Sequence, residues 1–206
     1  MVTQPVKLTL VPEEGALPGS NGRYEKFLAD LDGLYRDAEA FAAARAADSG
    51  APVYWVESSD TEPGPGGLII GLSVLEPGRV GDEYAMTRGH IHANHEYSEL
   101  YSCVAGHGVM LLETVDGASE AVELRAGEAV YVPGHWVHRS VNVGDERFVT
   151  LFCYGSVAGQ DYGIIERSGG MRHRVVAADA GWALVDNDGY VPRTPEVAAA
   201  LIGDAV

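Results

Sequence analysis

Residues 99–124 read ELYSCVAGHGVMLLETVDGASEAVEL. Three runs rich in β-branched, aromatic and other apolar residues are cut by Gly106-His107-Gly108 and by Asp116-Gly117, short glycine-containing breaks of the kind that close β-hairpins. The same pattern continues outward: VYWVES, GLIIGLSVL and EYAMT come before it, and AVYV, VHRSVN and FVTLFCY come after. About nine such runs between Val53 and Tyr154 predict an all-β antiparallel sandwich or barrel of meander or jelly-roll order. Glycine, at 26 of 206 residues, supplies the many tight turns this requires.

The flanks read differently. Asp37 is placed to cap a short helix through AEAFAAARAA, whose alanines are strong helix formers, and PEVAAALIG near the other end is a second helical candidate. The chain therefore divides into an N-terminal arm (1–52), a barrel (53–166) and a C-terminal extension (167–206), together one structural domain. Within the extension SGGMRHRVV carries local basic charge and reads as a solvated loop entering a strand.

Composition excludes several classes of function. Fourteen Lys and Arg stand against 30 Asp and Glu, a formal charge of −16, which repels nucleic acid and anionic membranes alike. Apolar runs such as GLIIGLSVL fall short of the roughly 20 residues that span a bilayer. The opening MVTQPVKLTLVPEEG has neither a basic start nor a sustained apolar stretch, so the expectation is a cytoplasmic protein. Cys103 and Cys153 lie in apolar strand-like runs, where thiols act as small hydrophobes; neither is given a role.

Histidine is the informative residue. Of seven, six (His90, His92, His95, His107, His135 and His138) fall between positions 90 and 138. Clustered imidazoles with a nearby carboxylate build sites for first-row divalent metals. His90 and His92, two apart on an extended segment, present their rings to one side. Glu96 and Glu99 compete to supply the carboxylate. Glu99 is favoured because it opens the run ELYSCVA, whose hairpin Gly106 would close, whereas Glu96 sits in the loop-like ANHEYS. His138 begins a later strand, with His135 three residues before it as rival or supporting group.

These residues carry a family resemblance. GHIH…E…G followed by Gly127, Pro133, His138 and Asn142 is similar to the two motifs of the cupin superfamily, a jelly-roll barrel with a metal at its centre. The resemblance implies the ligands His90, His92, Glu99 and His138. TRGHIHA, SELY, GVMLLET, YVPGHWVHRSVNVGDE and AGQDYGII together resemble the cupin-type glucose-6-phosphate isomerases, from about Tyr54 to Glu166 and weakly into LADLDGLYRD. In that subfamily the long His92-to-Glu99 spacing is usual. Four departures stand out: His135 replaces a glycine of the general cupin pattern, Arg88 stands where lysine is common in the subfamily, Gln160 replaces a histidine and Ser73 a threonine.

The resemblance implies interconversion of glucose 6-phosphate and fructose 6-phosphate on a divalent metal. Fe(II) is the expected ion, with Mn(II), Ni(II) and Zn(II) chemically acceptable to the same donors. Glu99 and Tyr101, on one face of a strand, are the candidate catalytic groups. Tyr54, Ser73, Thr87, Arg88, Gly89, Tyr154 and Tyr162 are the candidate substrate and phosphate contacts. Hydrogen would move between C1 and C2 by proton transfer or hydride shift, and the sequence does not choose. A homodimer is expected by fold analogy, because jelly rolls expose sheet edges that pair. The competing readings are an isomerase of another sugar, a non-haem iron dioxygenase on the same scaffold, and a non-catalytic sugar-binding protein.

Overall fold

A computed structural model describes residues 4–203; residues 1–3 of the arm and 204–206 of the extension lie outside the described residues. The elements run β1 (Gly22–Phe27), a 3-10 turn (Leu28–Leu31), α1 (Ala38–Ala46), β2 (Pro52–Asp60), β3 (Leu68–Leu75), β4 (Arg79–Val80), β5 (Glu83–Tyr84), β6 (Glu99–Ala105) and β7 (His107–Thr114). They continue with β8 (Ser119–Arg125), β9 (Ala129–Val132), β10 (Trp136–Asn142), β11 (Phe148–Gly155), α2 (Gly163–Arg167), β12 (His173–Ala178), β13 (Gly181–Asp186) and α3 (Pro195–Gly203).

The strands form a six-stranded sheet, β1-β2-β3-β11-β6-β9, a three-stranded sheet, β10-β7-β8, and a small sheet, β13-β12-β5-β4, with antiparallel pairing throughout. Tyr101, Cys103, Met110, Leu112, Phe148 and Phe152, drawn from the first two sheets, share one apolar cluster. This is the all-β jelly-roll barrel implied by the cupin resemblance. Alternate residues of β7, Val109 and Leu111, turn outward and pack with Leu31, Tyr35, Phe41, Ile164, Ile165 and Met171. The flanking segments thus cover the outer face of the smaller barrel sheet, which is why GVMLL is apolar without alternation.

Asp37 caps α1 as expected, its side chain accepting from Ala40 N at 2.8 Å. Asp116-Gly117 joins the paired strands β7 and β8 as predicted. The hairpin expected at Gly106-His107-Gly108 is instead a corner between sheets. β6 pairs with β9 and β11, and β7 with β8 and β10. Gly106 makes this possible at φ +80°, where a Cβ would lie 2.1 Å from the Arg147 carbonyl oxygen. EYAMT also differs from expectation: Glu83–Tyr84 pairs in the small sheet, and Met86 then bridges Val141 of β10. SGGMRHRVV enters a strand, β12, as expected, while β1 and the partner strand β13 add sheet to segments the sequence left as arm and extension. No helix among the described residues is long and apolar enough to cross a membrane.

Candidate metal centre

Extended residues 90–91 lie between β10 and the segment before α2. His90 bridges His138, and Ile91 bridges Asp161. The period-2 geometry sends Ile91 into the apolar cluster and both imidazoles the other way. Glu99 opens β6, and His138 lies on β10 of the facing sheet. One ligand atom from each of His90, His92, Glu99 and His138 falls within 4.8 Å of all the others, and all four residues are nearly enclosed, Glu99 being 2 % exposed.

The proton positions identify what this cluster can hold. His92 Nδ1 donates to the Tyr97 carbonyl at 2.8 Å, and His138 Nδ1 to the Trp136 carbonyl at 3.0 Å. A carbonyl only accepts, so each neutral ring keeps its lone pair on Nε2. Those Nε2 atoms stand 3.2 and 3.1 Å from Glu99 Oε2, and the buried Nε2 atoms of His90 and His92 have no hydrogen-bond partner. Burial, then the neighbouring His138, holds the His90 pKa well below its ordinary value, so this ring is neutral. Burial would raise the Glu99 carboxyl, but the contacts from His138 and His92 outweigh it and hold it at about 2. An ionised carboxylate enclosed among these rings needs positive charge beside its oxygen, which protons on the facing Nε2 atoms supply and a divalent cation in their place would supply. The donor set fits a first-row divalent metal, and the backbone carbonyls fix its rings as outer hydrogen bonds do around bound metals.

Above the cluster is a cavity of about 80 Å³ lined by His90, Glu99 and Tyr101 and by Tyr54, Ser73, Thr87, Gly89, Tyr154 and Tyr162. Tyr54 Oη accepts from Arg88 N at 3.4 Å. Burial, then the charge of Glu99, pushes the Tyr101 phenol well above its ordinary value, so it remains a hydrogen-bond donor. The Tyr162 hydroxyl donates to Gln160 Oε1, and Gln160 also lines the cavity.

The structure does not bring every candidate to the cavity. The Arg88 guanidinium pairs with Glu166 and lies 5.3 Å from the Tyr162 ring centre, and Arg88 is absent from the lining. Glu96 sits exposed in a turn. His95 and His135 face each other at 6.3 Å, outside the four-residue cluster. His135 takes φ 66°, the left-handed conformation that favours glycine at this position, and its Nδ1 donates to the Leu201 carbonyl at 3.0 Å.

Tyr24 and Ser140 line the cavity although the sequence reading missed them. Tyr24 comes from β1 and meets Tyr54 edge-to-face at 6.4 Å. Ser140 lies two residues beyond His138 on the same strand face, and that spacing could have found it.

Comparison with known proteins bears on the same residues. A family model described as glucose-6-phosphate isomerase (GPI) matches residues 25–193. The chain belongs to this family. A glucose-6-phosphate isomerase of Sinorhizobium medicae is 44 % identical over 190 residues, 92 % of this chain and 89 % of the relative. The Thermococcus kodakarensis isomerase is 38 % identical over 184 residues, covering 89 % and 95 %, and that of Pyrococcus horikoshii 36 % identical over 169 residues, covering 82 % and 88 %. Membership of the isomerase family makes the cavity over the four-residue cluster the candidate active site, and the chain an isomerase.

Proposed function

We propose that this chain is a metal-dependent aldose–ketose isomerase interconverting glucose 6-phosphate and fructose 6-phosphate. The observation that carries the reading is the continuity of His90, His92, Glu99 and His138 with a cavity lined mostly by hydroxyl-bearing side chains, with Gly89 among them. When bound, Fe(II), or Mn(II), Ni(II) or Zn(II) in its place, supplies Lewis acidity toward neighbouring sugar oxygens.

The protein's own groups do the rest. Tyr101 stays protonated beside Glu99 and donates to a sugar hydroxyl or carbonyl at the reacting end. Glu99 Oε2 is the ionised oxygen beside which hydrogen moves between C1 and C2. Ser73, Thr87, Gly89, Tyr54, Tyr154 and Tyr162 hold the phosphate end and exclude water. Thr87 Oγ1 accepts from Ser140 N at 3.0 Å and donates to the Ser140 carbonyl oxygen at 3.5 Å, a long bond that an anion in the cavity would replace. The charge of a sugar phosphate keeps it from crossing a bilayer, so the enzyme works where that substrate is made, in the cytoplasm. The edge strand β9 exposes Tyr131 at 63 %, paired across the sheet with Leu100 at 46 %, and this apolar edge supports the homodimer.

The test is a coupled assay of fructose 6-phosphate conversion on chelator-stripped protein, repeated after adding Fe(II) or Mn(II). Turnover that returns with metal is the expected result. Metal bound at full occupancy without turnover would overturn the reading.

A further inference from the structure

Arg139 lies on β10 between His138 and Ser140 and is 5 % exposed. No ion pair among the described residues includes it; nearby Glu83 is taken by Arg174 at 2.7 Å. Its Nη1 points at Met86 Sδ at 2.9 Å, Nε has no partner, and Nη2 donates to the Arg88 carbonyl at 2.6 Å. A guanidinium stays protonated, so enclosing one without a carboxylate opposes folding.

The backbone beside it is bulged. Thr87 N donates to Ser140 O at 2.9 Å, while His90 and His138 exchange N–H···O bonds of 3.1 and 2.9 Å. Between these pairs Arg88 and Gly89 stand opposite Arg139 alone, two residues against one, an irregularity that re-aims groups beside active sites. Gly89 takes φ +80°, and a Cβ there would lie 3.1 Å from Arg139 Cβ and Nε. Across a planar trans peptide the C=O and the following N–H point in opposite directions. With the Arg88 carbonyl held by Arg139, Gly89 N–H points away from that side chain. Gly89 lines the cavity, and no hydrogen bond among the described residues engages its N–H.

We infer that Arg139 is a positioning residue for phosphate recognition: it locks the Arg88–Gly89 peptide so that Gly89 N–H aims into the cavity, and it sets a buried positive charge directly behind that donor. This deepens the sugar-phosphate reading and rests on it. It also explains how a chain of net charge −16 receives a dianion without an arginine in the cavity wall, since a local charge at low dielectric outweighs a distant screened field.

The test uses zinc-loaded full-length protein with its metal content measured, as wild type, Arg139→Met and Arg139→Lys. Each is titrated with inorganic phosphate while glycine amide resonances are followed, the Gly89 signal being identified by its loss in Gly89→Ala. In the wild type Gly89 N–H shifts on phosphate addition. Arg139→Met keeps its metal, binds phosphate at least about tenfold more weakly, and raises KM for fructose 6-phosphate in proportion while kcat changes little. Arg139→Lys, which keeps the charge without the fork, falls between. A wild-type Gly89 signal indifferent to phosphate, or Arg139→Met with wild-type affinity, would overturn the assignment. Should Arg139→Met not fold, unchanged affinity in Arg139→Lys does the same. Phosphate binding at Gly89 without turnover of fructose 6-phosphate would instead sink the isomerase reading and leave the assignment to Arg139 standing.

Discussion

Glu99 Oε2 and His138 Nε2 lie 3.1 Å apart although 39 residues separate them in the chain. Glu99 belongs to the six-stranded sheet and His138 to the three-stranded sheet that faces it. The donor set therefore assembles only when the two sheets close on their shared apolar core, and the core that closes them includes Tyr101, two residues from Glu99. Folding and construction of the centre are one event.

Loss of either partner should therefore empty the site without unfolding the barrel. Glu99→Gln and His138→Ala are each expected to lose stoichiometric metal and at least about a hundredfold in activity. Glu96→Ala, at an exposed turn, should keep both. Metal analysis of the purified variants checks this; metal retained in Glu99→Gln but lost in Glu96→Ala would reverse the choice of carboxylate.

The centre was legible because its signal is local. His90 and His92 are two apart, and Glu99 opens a run of strand formers, so parity and turn chemistry placed three donors before any tertiary information. What the sequence concealed is long-range. Gly106-His107-Gly108 has hairpin chemistry, yet the choice between pairing β6 with β7 and sending them to different sheets is made by burial on both faces of β7. Tyr24 lies in GRYEKF, where charged residues flank it and no apolar alternation marks a strand; its place in the cavity wall comes from pairing with β2. Arg88 stood among the candidate phosphate contacts, but Glu166, 78 positions away, pairs with its guanidinium.

The corner at Gly106 is open to a direct test. Alanine there must adopt φ +80° and place its Cβ 2.1 Å from the Arg147 carbonyl oxygen. Strain of this kind costs about 1–3 kcal/mol, and forced movement of backbone adds to it. Gly106→Ala should lower the thermal midpoint by roughly 5–10 °C. Gly127→Ala is the control, since it has a similar φ of +94° but meets nothing within 4 Å, and it should lose less. Equal losses in the two variants would show that crowding at the corner contributes nothing.

Alkaline pH should weaken the fold through the buried phenol of Tyr54 and the half-buried phenol of Tyr190. Burial, then the Glu113 charge, raises Tyr190 to about 12, and burial raises Tyr54 to about 12, from the ordinary phenol value of 10.0. A folded pKa above the unfolded one gives stability that is whole below about pH 10 and is lost as pH climbs toward 12, because only the unfolded chain ionises in that window. Urea midpoints measured between pH 9 and 12 should fall, and fall less steeply in Tyr190→Phe. A flat profile in the wild type would contradict the assignment.

Glu113 tests what holds the C-terminal extension to the barrel. Fully buried on β7, its carboxylate accepts from Arg193 Nη1 at 2.7 Å, the Tyr190 hydroxyl at 3.0 Å and Arg172 N at 2.6 Å. Three donors from residues 172–193 thus converge on one barrel side chain. Glu113→Gln keeps the shape but removes the charge, leaving the Arg193 guanidinium enclosed without a counter-ion. Breaking a buried pair in this way costs about 3–5 kcal/mol, whereas replacing both partners costs much less. The single variant should therefore lose roughly 6–20 °C in thermal midpoint, and Glu113→Gln with Arg193→Met should recover part of that loss. Neither residue lines the cavity, so metal content should stay at the wild-type level in both. A double variant no more stable than Glu113→Gln would show that the uncompensated charge is not the source of the loss, and the cause would pass to the hydrogen bonds from Tyr190 and Arg172.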